Sequence, residues 1–188
     1  MNMSKSLQNI IGRYKNGLLT TQNLQIRNEI FSNEIISDEC LSSSTFTNVS
    51  LSNLNFTNIR FDSSSFQKCL FENCEFDSIV LQNARFENCR LTNCQLRNCN
   101  LIRVDFTETI FDRCQFEKAD EGSLVKAWFE SCHFLDTHFD GFEGAPLIQT
   151  AVINSKFSKF KKSIDFQGEF FLIDILQPVN GISGMFLE

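Results

Sequence analysis

Cysteine is the residue type with the most reactive side chain in this sequence, and it recurs in a short motif. Phe-Glu-Asn-Cys at residues 71–74 returns at residues 86–89 and then becomes Leu-Thr-Asn-Cys and Leu-Arg-Asn-Cys, which end at Cys94 and Cys99. Clustered thiols can bind zinc or form disulfides, but structural zinc sites usually contain C-x2-C pairs. The cysteines here are five residues apart, and the two histidines do not lie at ligand spacing from a cysteine pair. We therefore predict no metal site, no cofactor and no catalytic residue, and we expect the chain not to be an enzyme.

The elements that position these cysteines follow a repeat of five residues. Every fifth position from Leu41 to Phe116 is Phe or Leu, in all 16 cases. We call this position i; position i−2 is small or apolar, and position i−1 is mostly polar. Side chains at i−2 and i lie on the same face of a strand, so the repeat predicts short strands that bury both positions. The predicted core contains Phe56, Phe61, Phe66, Phe71, Phe76, Phe86, Leu91, Leu96, Leu101, Phe106, Phe111, Phe116, Cys74, Cys94 and Cys114.

The repeat also predicts where the chain turns. Because five is an odd number, a straight strand would direct each successive Phe to the opposite face. A single buried face is kept only if the chain turns a corner once in each unit. Position i+2 is Asn at residues 48, 53, 58, 73, 83, 88, 93 and 98. Asn accepts the positive φ that the third residue of a type II turn requires, so the pattern predicts a solenoid of short strands and tight turns.

This pattern resembles the pentapeptide-repeat family over residues 26–160, although Cys often replaces the usual Ala, Ser or Thr at i−2. The resemblance implies an all-β fold, a right-handed quadrilateral parallel β-helix (a pentapeptide-repeat solenoid) with one pentapeptide on each of its walls. We expect about six coils, with an N-terminal cap at residues 1–25 and a C-terminal cap or dimerisation segment at residues 161–188.

Position i−2 holds seven of the eight cysteines. Cys74, Cys94 and Cys114 differ by 20 residues and are predicted to form one column, as are Cys69 and Cys89. We interpret these thiols as small apolar fillers of a narrow interior. The alternative is that stacked thiols oxidise to disulfides, although parallel strands rarely offer the torsion that a disulfide needs.

Positions i−1 and i+1 are predicted to face solvent. His133 and His138 fall at i−1 on adjacent walls, and we interpret them as surface residues rather than as a site. Asp77, Arg97 and Glu117 are also spaced by 20 residues. They predict a charge ladder up one wall in which stacking of like charges is avoided.

The step of five fails twice, after Phe116 and after Phe139, and each time the repeat resumes eight residues later. We interpret both gaps as insertions of three residues, at residues 117–123 and 140–146. The gaps lie 23 residues apart, which equals one 20-residue coil plus three. Both insertions are therefore expected at the same corner of the coil, about 4.8 Å apart.

The two inserted segments contain the candidate binding residues. Both segments are acidic and contain Gly, and the second carries a Phe that the register does not direct to the core. Loops on a rigid scaffold often carry function, whereas the alternative is a pair of tolerated surface bulges. The candidate contact residues are Asp120, Glu121, Asp140, Phe142 and Glu143.

Both ends of a solenoid expose apolar core unless they are covered. Residues 4–17 have apolar side chains at helical spacing, with a Ser candidate for the N-cap before them and Gly17 after them, which predicts an amphipathic capping helix. The C-terminal segment 166–176 is strongly apolar. It either folds over the last coil or forms a homodimer through stacked ends.

Composition restricts the class of partner. The formal charge of −6 disfavours direct binding to nucleic acid, which requires a basic face. The sequence contains no run of 18 apolar residues, and residues 1–17 do not resemble a signal peptide. We therefore expect no membrane span, a cytoplasmic protein and reduced cysteines.

These observations favour a protein-binding or scaffold module that acts through its walls and its two inserted segments, with a partner of unknown identity. The resemblance implies an alternative, because well-understood members of the family mimic duplex DNA and protect type II topoisomerases, in quinolone resistance or toxin immunity. Between Arg60 and Glu143 there are 15 acidic and nine basic residues, which makes only a weak acidic stripe. The sequence therefore favours the scaffold over the DNA mimic.

Overall fold

Very short strands follow one another along the chain in the computed structural model, which describes residues 6–17, 21–117, 127–140, 147–148, 151–153 and 156–158. The strands pair in parallel from coil to coil and form three sheets of seven strands each. In the regular coils the paired residues are 20 apart in sequence, as Phe66 and Phe86 are. We call the three sheets the first, second and third walls. The predicted all-β parallel solenoid is confirmed.

The first wall contains β1 (Gln25–Arg27), β4 (Thr45–Thr47), β7 (Ser65–Gln67), β10 (Arg85–Glu87), β13 (Asp105–Thr107), β16 (Trp128–Glu130) and β19 (Leu147–Ile148). The second wall contains β2 (Ile30–Ser32), β5 (Ser50–Ser52), β8 (Leu70–Glu72), β11 (Arg90–Thr92), β14 (Ile110–Asp112), β17 (His133–Leu135) and β20 (Ala151–Ile153). The third wall contains β3 (Ile35–Ser37), β6 (Asn55–Thr57), β9 (Glu75–Asp77), β12 (Gln95–Arg97), β15 (Gln115–Glu117), β18 (His138–Asp140) and β21 (Lys156–Ser158).

A fourth wall closes the coil between the third wall and the first. Its pairing is reduced to single parallel bridges, which join Cys40, Arg60, Val80 and Asn100 in one column. The chain turns directly after the buried residue of this wall: the Phe61 carbonyl accepts a 3.0 Å hydrogen bond from the Ser64 amide. The coil therefore has four walls, as the resemblance implied.

The middle residue of each regular strand fills the interior. In β10, Phe86 is buried while Arg85 and Glu87 on either side are exposed. The ring of Phe86 stacks on the rings of Phe66 and Phe106, at centroid distances of 4.6 and 4.8 Å. Every predicted core residue is buried, namely Phe56, Phe61, Phe66, Phe71, Phe76, Phe86, Leu91, Leu96, Leu101, Phe106, Phe111, Phe116, Cys74, Cys94 and Cys114.

The corners form as the Asn pattern predicted. All 21 non-glycine residues with positive φ in the described part of the chain occupy position i+2. At the corner between the second and third walls, four asparagines form a ladder of side-chain amides. Asn53 donates to Asn33 at 3.2 Å, Asn73 to Asn53 at 3.2 Å, and Asn93 to Asn73 at 2.7 Å. Asn is therefore favoured at this corner for two reasons: it accepts the backbone conformation with positive φ, and its side chain forms hydrogen bonds along the ladder.

Replacing Arg113 with Asn is expected to stabilise the protein by about 1 kcal/mol. Arg113 continues the column of Asn93, yet it adopts the positive φ of 53° that disfavours most side chains. Its ion pair with Asp112 is lost, but exposed pairs contribute little. Urea unfolding measures the change. Arg90→Asn is the matched control, because it also removes an ion pair with Asp112 but lies at i−1; equal effects of the two substitutions would contradict the prediction.

The capping helix predicted over residues 4–17 is observed as α1 (Leu7–Gly17), and the residues before Ser6 lie outside the described part. Leu7 and Ile11 are buried against the first coil. Ser6 serves as the N-cap, since its hydroxyl accepts the Asn9 amide at 3.2 Å. The C-terminal segment, including residues 166–176, lies outside the described residues, so capping and dimerisation both stay predictions.

The first of the two predicted insertions is confirmed in the register of the strands, and the second is wrong. Phe106 pairs with Phe129, an offset of 23 residues instead of 20. Phe129, however, pairs with Leu147, an offset of only 18. The second gap thus carries the chain from the third wall to the first in eight residues, whereas the prediction placed Leu147 on the fourth wall. The spacing could not distinguish these outcomes, because all four walls accept an apolar residue at i.

Candidate functional site

The two candidate contact segments, residues 117–123 and 140–146, begin on neighbouring strands of the third wall. β15 pairs with β18, with Phe116 opposite Phe139, so residues 118 and 141 follow strands that lie side by side. This confirms that both segments start at the same corner. Among the candidate contact residues, Asp140 ends β18. Asp120, Glu121, Phe142 and Glu143 lie outside the described residues, so their role in binding stays a prediction.

The third wall carries the predicted charge ladder. Arg97 lies between Asp77 and Glu117 in the strand register, and its Nε is 3.0 Å from Glu117 Oε2. A shallow depression runs along this wall, lined by Asn55, Thr57, Glu75, Phe76, Asp77, Gln95 and Arg97. The second wall is also neutralised locally, since Arg90 Nη2 lies 2.9 Å from Asp112 Oδ2. On the third wall, opposite charges alternate from Asp77 to Glu117.

The first wall has a different surface, which sequence reasoning did not single out. Trp128 occupies i−1 of β16 and is 41% exposed. Its indole Nε1 donates to Glu130 Oε2 at 3.2 Å, which orients the ring on the wall. In the same column below it lie Asp105 and Arg85. The sequence could have indicated that Trp128 is exposed, because it directly precedes Phe129 and side chains at i−1 face outward. His133 and His138 are exposed, as predicted.

The seven cysteines at i−2 are buried, and none of the described cysteines forms a disulfide. Their thiols do more than fill space. Cys74 Sγ donates to the Leu51 carbonyl at 3.4 Å, and Cys114 Sγ donates to the Leu91 carbonyl at 3.3 Å. Ser64 Oγ makes the equivalent bond to the Leu41 carbonyl at 2.9 Å. At these positions the small side chains therefore fill the interior and also donate a hydrogen bond to a buried carbonyl.

Burial also keeps two of these thiols in the unreactive protonated form. It raises the pKa of the Cys99 thiol to about 12, and it raises the pKa of the Cys132 thiol to about 12 as well. A thiolate is the reactive form, so both groups stay protonated at neutral pH. Within the described ranges, no group of three or more His, Cys, Asp or Glu side chains is arranged to hold a metal ion.

Cys40 differs from the other cysteines because it is only partly buried. Its Sγ lies 3.3 Å from Ser42 Oγ and accepts a hydrogen bond from Gln22 Nε2 at 3.4 Å. Burial raises the pKa of Cys40, but its hydrogen bonds with Ser42 and Gln22 and the charge of Arg60 outweigh burial and lower the pKa below its ordinary value. Cys40 is therefore the thiol most available to reagents among those described.

In the folded protein, a thiol reagent such as Ellman's reagent is expected to modify Cys40 rapidly and the other seven cysteines only upon unfolding. The reaction rate should rise with pH around a midpoint below that of an unperturbed cysteine thiol, because the lowered pKa favours thiolate. Cys40→Ser should remove the rapid phase, and Arg60→Gln should shift its midpoint to higher pH. Several rapidly reacting thiols in the folded state would contradict this assignment.

The described residues contain no helix long and apolar enough to cross a membrane. Their outward rows of side chains, their buried apolar columns and their four-walled coil define a repeat solenoid that presents flat surfaces.

The family comparison agrees with this class. A family model described as "Pentapeptide repeat region" matches residues 39–109. Over residues 39–109 the chain is therefore similar to this family. No curated protein matches it in sequence.

Several solved structures are similar to this chain. One is trypsin-treated QnrB1, a plasmid-mediated fluoroquinolone resistance protein, with 17% identity, 74% of this chain and 68% of that chain covered, and a TM-score of 0.47. Another is HetL, a pentapeptide repeat protein involved in heterocyst differentiation regulation from the cyanobacterium Nostoc sp. strain PCC 7120, with 11% identity, coverages of 80% and 81%, and a TM-score of 0.34. Full-length QnrB1 matches with 12% identity, coverages of 70% and 78%, and a TM-score of 0.37.

Proposed function

We propose that this chain is a non-enzymatic protein-binding or scaffold module. The observation that carries the proposal is the arrangement of the outward side chains, which stand in register on three parallel sheets over a continuous core. Such walls hold many side chains at fixed spacing over an extended surface, which suits contact with another protein. The depression on the third wall is shallow and lies between rows of side chains, unlike the concave sites that enclose small substrates.

The candidate contact segments 117–123 and 140–146 are the proposed contact edge on this scaffold. Support comes from their origin on β15 and β18, which lie side by side. Their acidic residues would then approach the partner together. Asp120, Glu121, Asp140, Phe142 and Glu143 are the proposed contact residues.

Pull-down from an extract of the native cell tests this function. The intact chain is compared with the double variant Asp120→Asn/Glu143→Gln, and with the control Glu72→Gln/Glu75→Gln, which removes equal charge from the second and third walls. We expect the test variant to keep its unfolding midpoint and to lose a partner that the control retains. Unfolding of the test variant would argue against a contact role, equal retention would exclude these residues, and the lack of any partner would contradict the proposed function.

The described walls give less support to the DNA-mimic alternative. Ion pairs such as Arg97 with Glu117 interrupt the negative charge on the third wall, and Arg90 with Asp112 does so on the second. A supercoiling assay with DNA gyrase and added protein tests this alternative directly. Protection or inhibition of gyrase at stoichiometric protein would favour the mimic over the scaffold.

A further inference from the structure

We infer that the first wall around Trp128 binds an arginine- or lysine-rich segment of a protein partner. This inference rests on the proposed function and adds to it a second surface and the chemical class of the segment that binds there. It depends on the described residues of the first wall and not on the candidate contact segments.

Trp128 supplies the apolar centre of this surface. The side chain is large and exposed, although its neighbours in the same column, Asp105 and Arg85, are charged. The hydrogen bond from Nε1 to Glu130 fixes one edge of the indole ring. An oriented ring loses little conformational entropy when a partner packs against it, and Trp is enriched among the residues that dominate binding energy.

Acidic side chains surround this centre. Strands β10, β13 and β16 of the first wall carry three acidic residues, Glu87, Asp105 and Glu130, and one basic residue, Arg85; Glu108 and Arg103 lie at the corners on either side of β13. Thr107 separates Glu87 from Glu130 in one column, and the Glu108 amide donates to the Glu130 carbonyl at 2.9 Å. The acids therefore occupy three successive coils, and neighbouring coils are about 4.8 Å apart.

The electrostatic contrast with the other walls supports the choice of partner. The four ion pairs identified among the described residues are Arg60 with Asp62, Arg90 with Asp112, Arg113 with Asp112, and Arg97 with Glu117. None of these pairs includes an acid of the first wall. The negative charge there is thus available to a cationic partner.

Arginine and lysine match both components of the surface. A guanidinium or ammonium group binds favourably over the face of an indole ring, and Trp is the best aromatic partner for such contacts. The neighbouring carboxylates attract the same cations and would set the orientation of the segment. In the lower coils, the same i−1 column carries the neutral residues Gln25, Thr45 and Ser65. The acidic patch around Trp128 is therefore short, and it suits a peptide segment better than a protein that binds along duplex DNA.

Fluorescence anisotropy of a short labelled peptide of alternating arginine and glycine tests the inference, with a glutamate and glycine peptide as the probe control. We expect saturable binding of the cationic peptide that weakens as salt increases. Trp128 is the only tryptophan in the chain, so its emission should change during the same titration. Binding without a change in this emission would place the peptide elsewhere and overturn the inference, and so would an absence of binding.

Two matched pairs of variants separate this surface from general attraction to an acidic protein. Trp128→Ser should weaken binding about tenfold, whereas Leu70→Ser, at an exposed apolar position of the second wall, should not. Ser is acceptable at both places because Ser65 and Ser50 occupy the same columns. Glu108→Asn should weaken binding about two- to fivefold, and it also fits the positive φ at that residue, whereas Glu72→Gln should have no effect.

Equal losses in Glu108→Asn and Glu72→Gln would show that only net charge matters, and equal losses in Trp128→Ser and Leu70→Ser would show that the indole ring is not a specific contact; either result would overturn the inference. The pull-down described above separates the two proposals. If a partner is captured but Trp128→Ser binds the cationic peptide as well as the unaltered chain does, the assignment of the first wall fails while the scaffold function stands. If no partner is captured, the scaffold function itself fails.

Discussion

Replacing Phe86 with Ala is expected to lower the free energy of unfolding by about 3–5 kcal/mol, the largest stability change predicted for a single residue in this chain. The side chain is 3% exposed and lies in the middle of the first wall. Its ring centroid is 4.6 Å from that of Phe66 and 4.8 Å from that of Phe106, at interplanar angles of 15° and 28°. Truncation would remove both stacking contacts and leave a cavity between two coils.

The cavity should not collapse easily, because the backbone on either side is fixed by parallel pairing. β10 pairs with β7 below and with β13 above, so neither neighbouring coil can close the gap without losing its register. Incomplete relaxation is the condition under which large-to-small substitutions cost most. Urea unfolding followed by circular dichroism and by Trp128 emission measures the loss.

Phe86→Leu is the matched control. Leu91 and Leu96 occupy the equivalent position on the next two walls of the same coil, so the coil already accepts Leu at i. The expected cost is below about 1.5 kcal/mol. If Phe86→Leu and Phe86→Ala destabilise the protein equally, the loss comes from the aromatic stack itself and not from the cavity, which would contradict the packing explanation.

The regular coils could be predicted from sequence because the rule that forms them is local. Each unit of five residues supplies its own strand, its own buried side chain and its own corner, and Asn48 or Asn93 adopts positive φ whatever the rest of the chain does. The same rule does not specify which wall a unit occupies once the repeat is interrupted. Leu147 could follow Phe139 on the fourth wall or the first, and strand pairing with Phe129 decided between them.

Features that depend on different coils were harder to predict. The packing role of the buried thiols could be predicted from their position at i−2. Their hydrogen bonds could not, because the carbonyl that Cys74 contacts belongs to Leu51, which is 23 residues earlier in the chain. Similarly, a count of charged residues over the sequence does not separate the charges of the four walls from one another. The acidic surface around Trp128 emerges only when residues from three coils are assigned to the same wall, and this required the offset of 23 between Phe106 and Phe129.

Glu34 shows how one repeat position changes its role at the end of the solenoid. It occupies i−2 of the first coil, in the column that continues with Leu54 and Cys74 inside the core. Because no coil lies below it, its carboxylate instead contacts the start of α1. Oε1 accepts the Leu7 amide at 3.0 Å, and Oε2 accepts the Gln8 amide at 3.0 Å and the Ser6 hydroxyl at 2.7 Å.

Replacing Glu34 with Ala is therefore expected to destabilise the docked helix by about 1.5–3 kcal/mol, because backbone donors at its first turn lose a charged acceptor. Hydrogen exchange of the α1 amides should accelerate about ten- to a hundredfold, since each factor of ten corresponds to about 1.4 kcal/mol. Exchange in the central strands β7 and β10 should change much less, because the interior columns do not include this carboxylate.

Glu34→Gln keeps one acceptor oxygen, so the exchange rates of its α1 amides should fall between those of the unaltered chain and those of Glu34→Ala. Glu72→Ala on the second wall should leave α1 unaffected. Acceleration of exchange throughout the solenoid would show that Glu34 supports the first coil itself, and an unchanged helix would show that burial of Leu7 and Ile11 is sufficient to hold α1 in place.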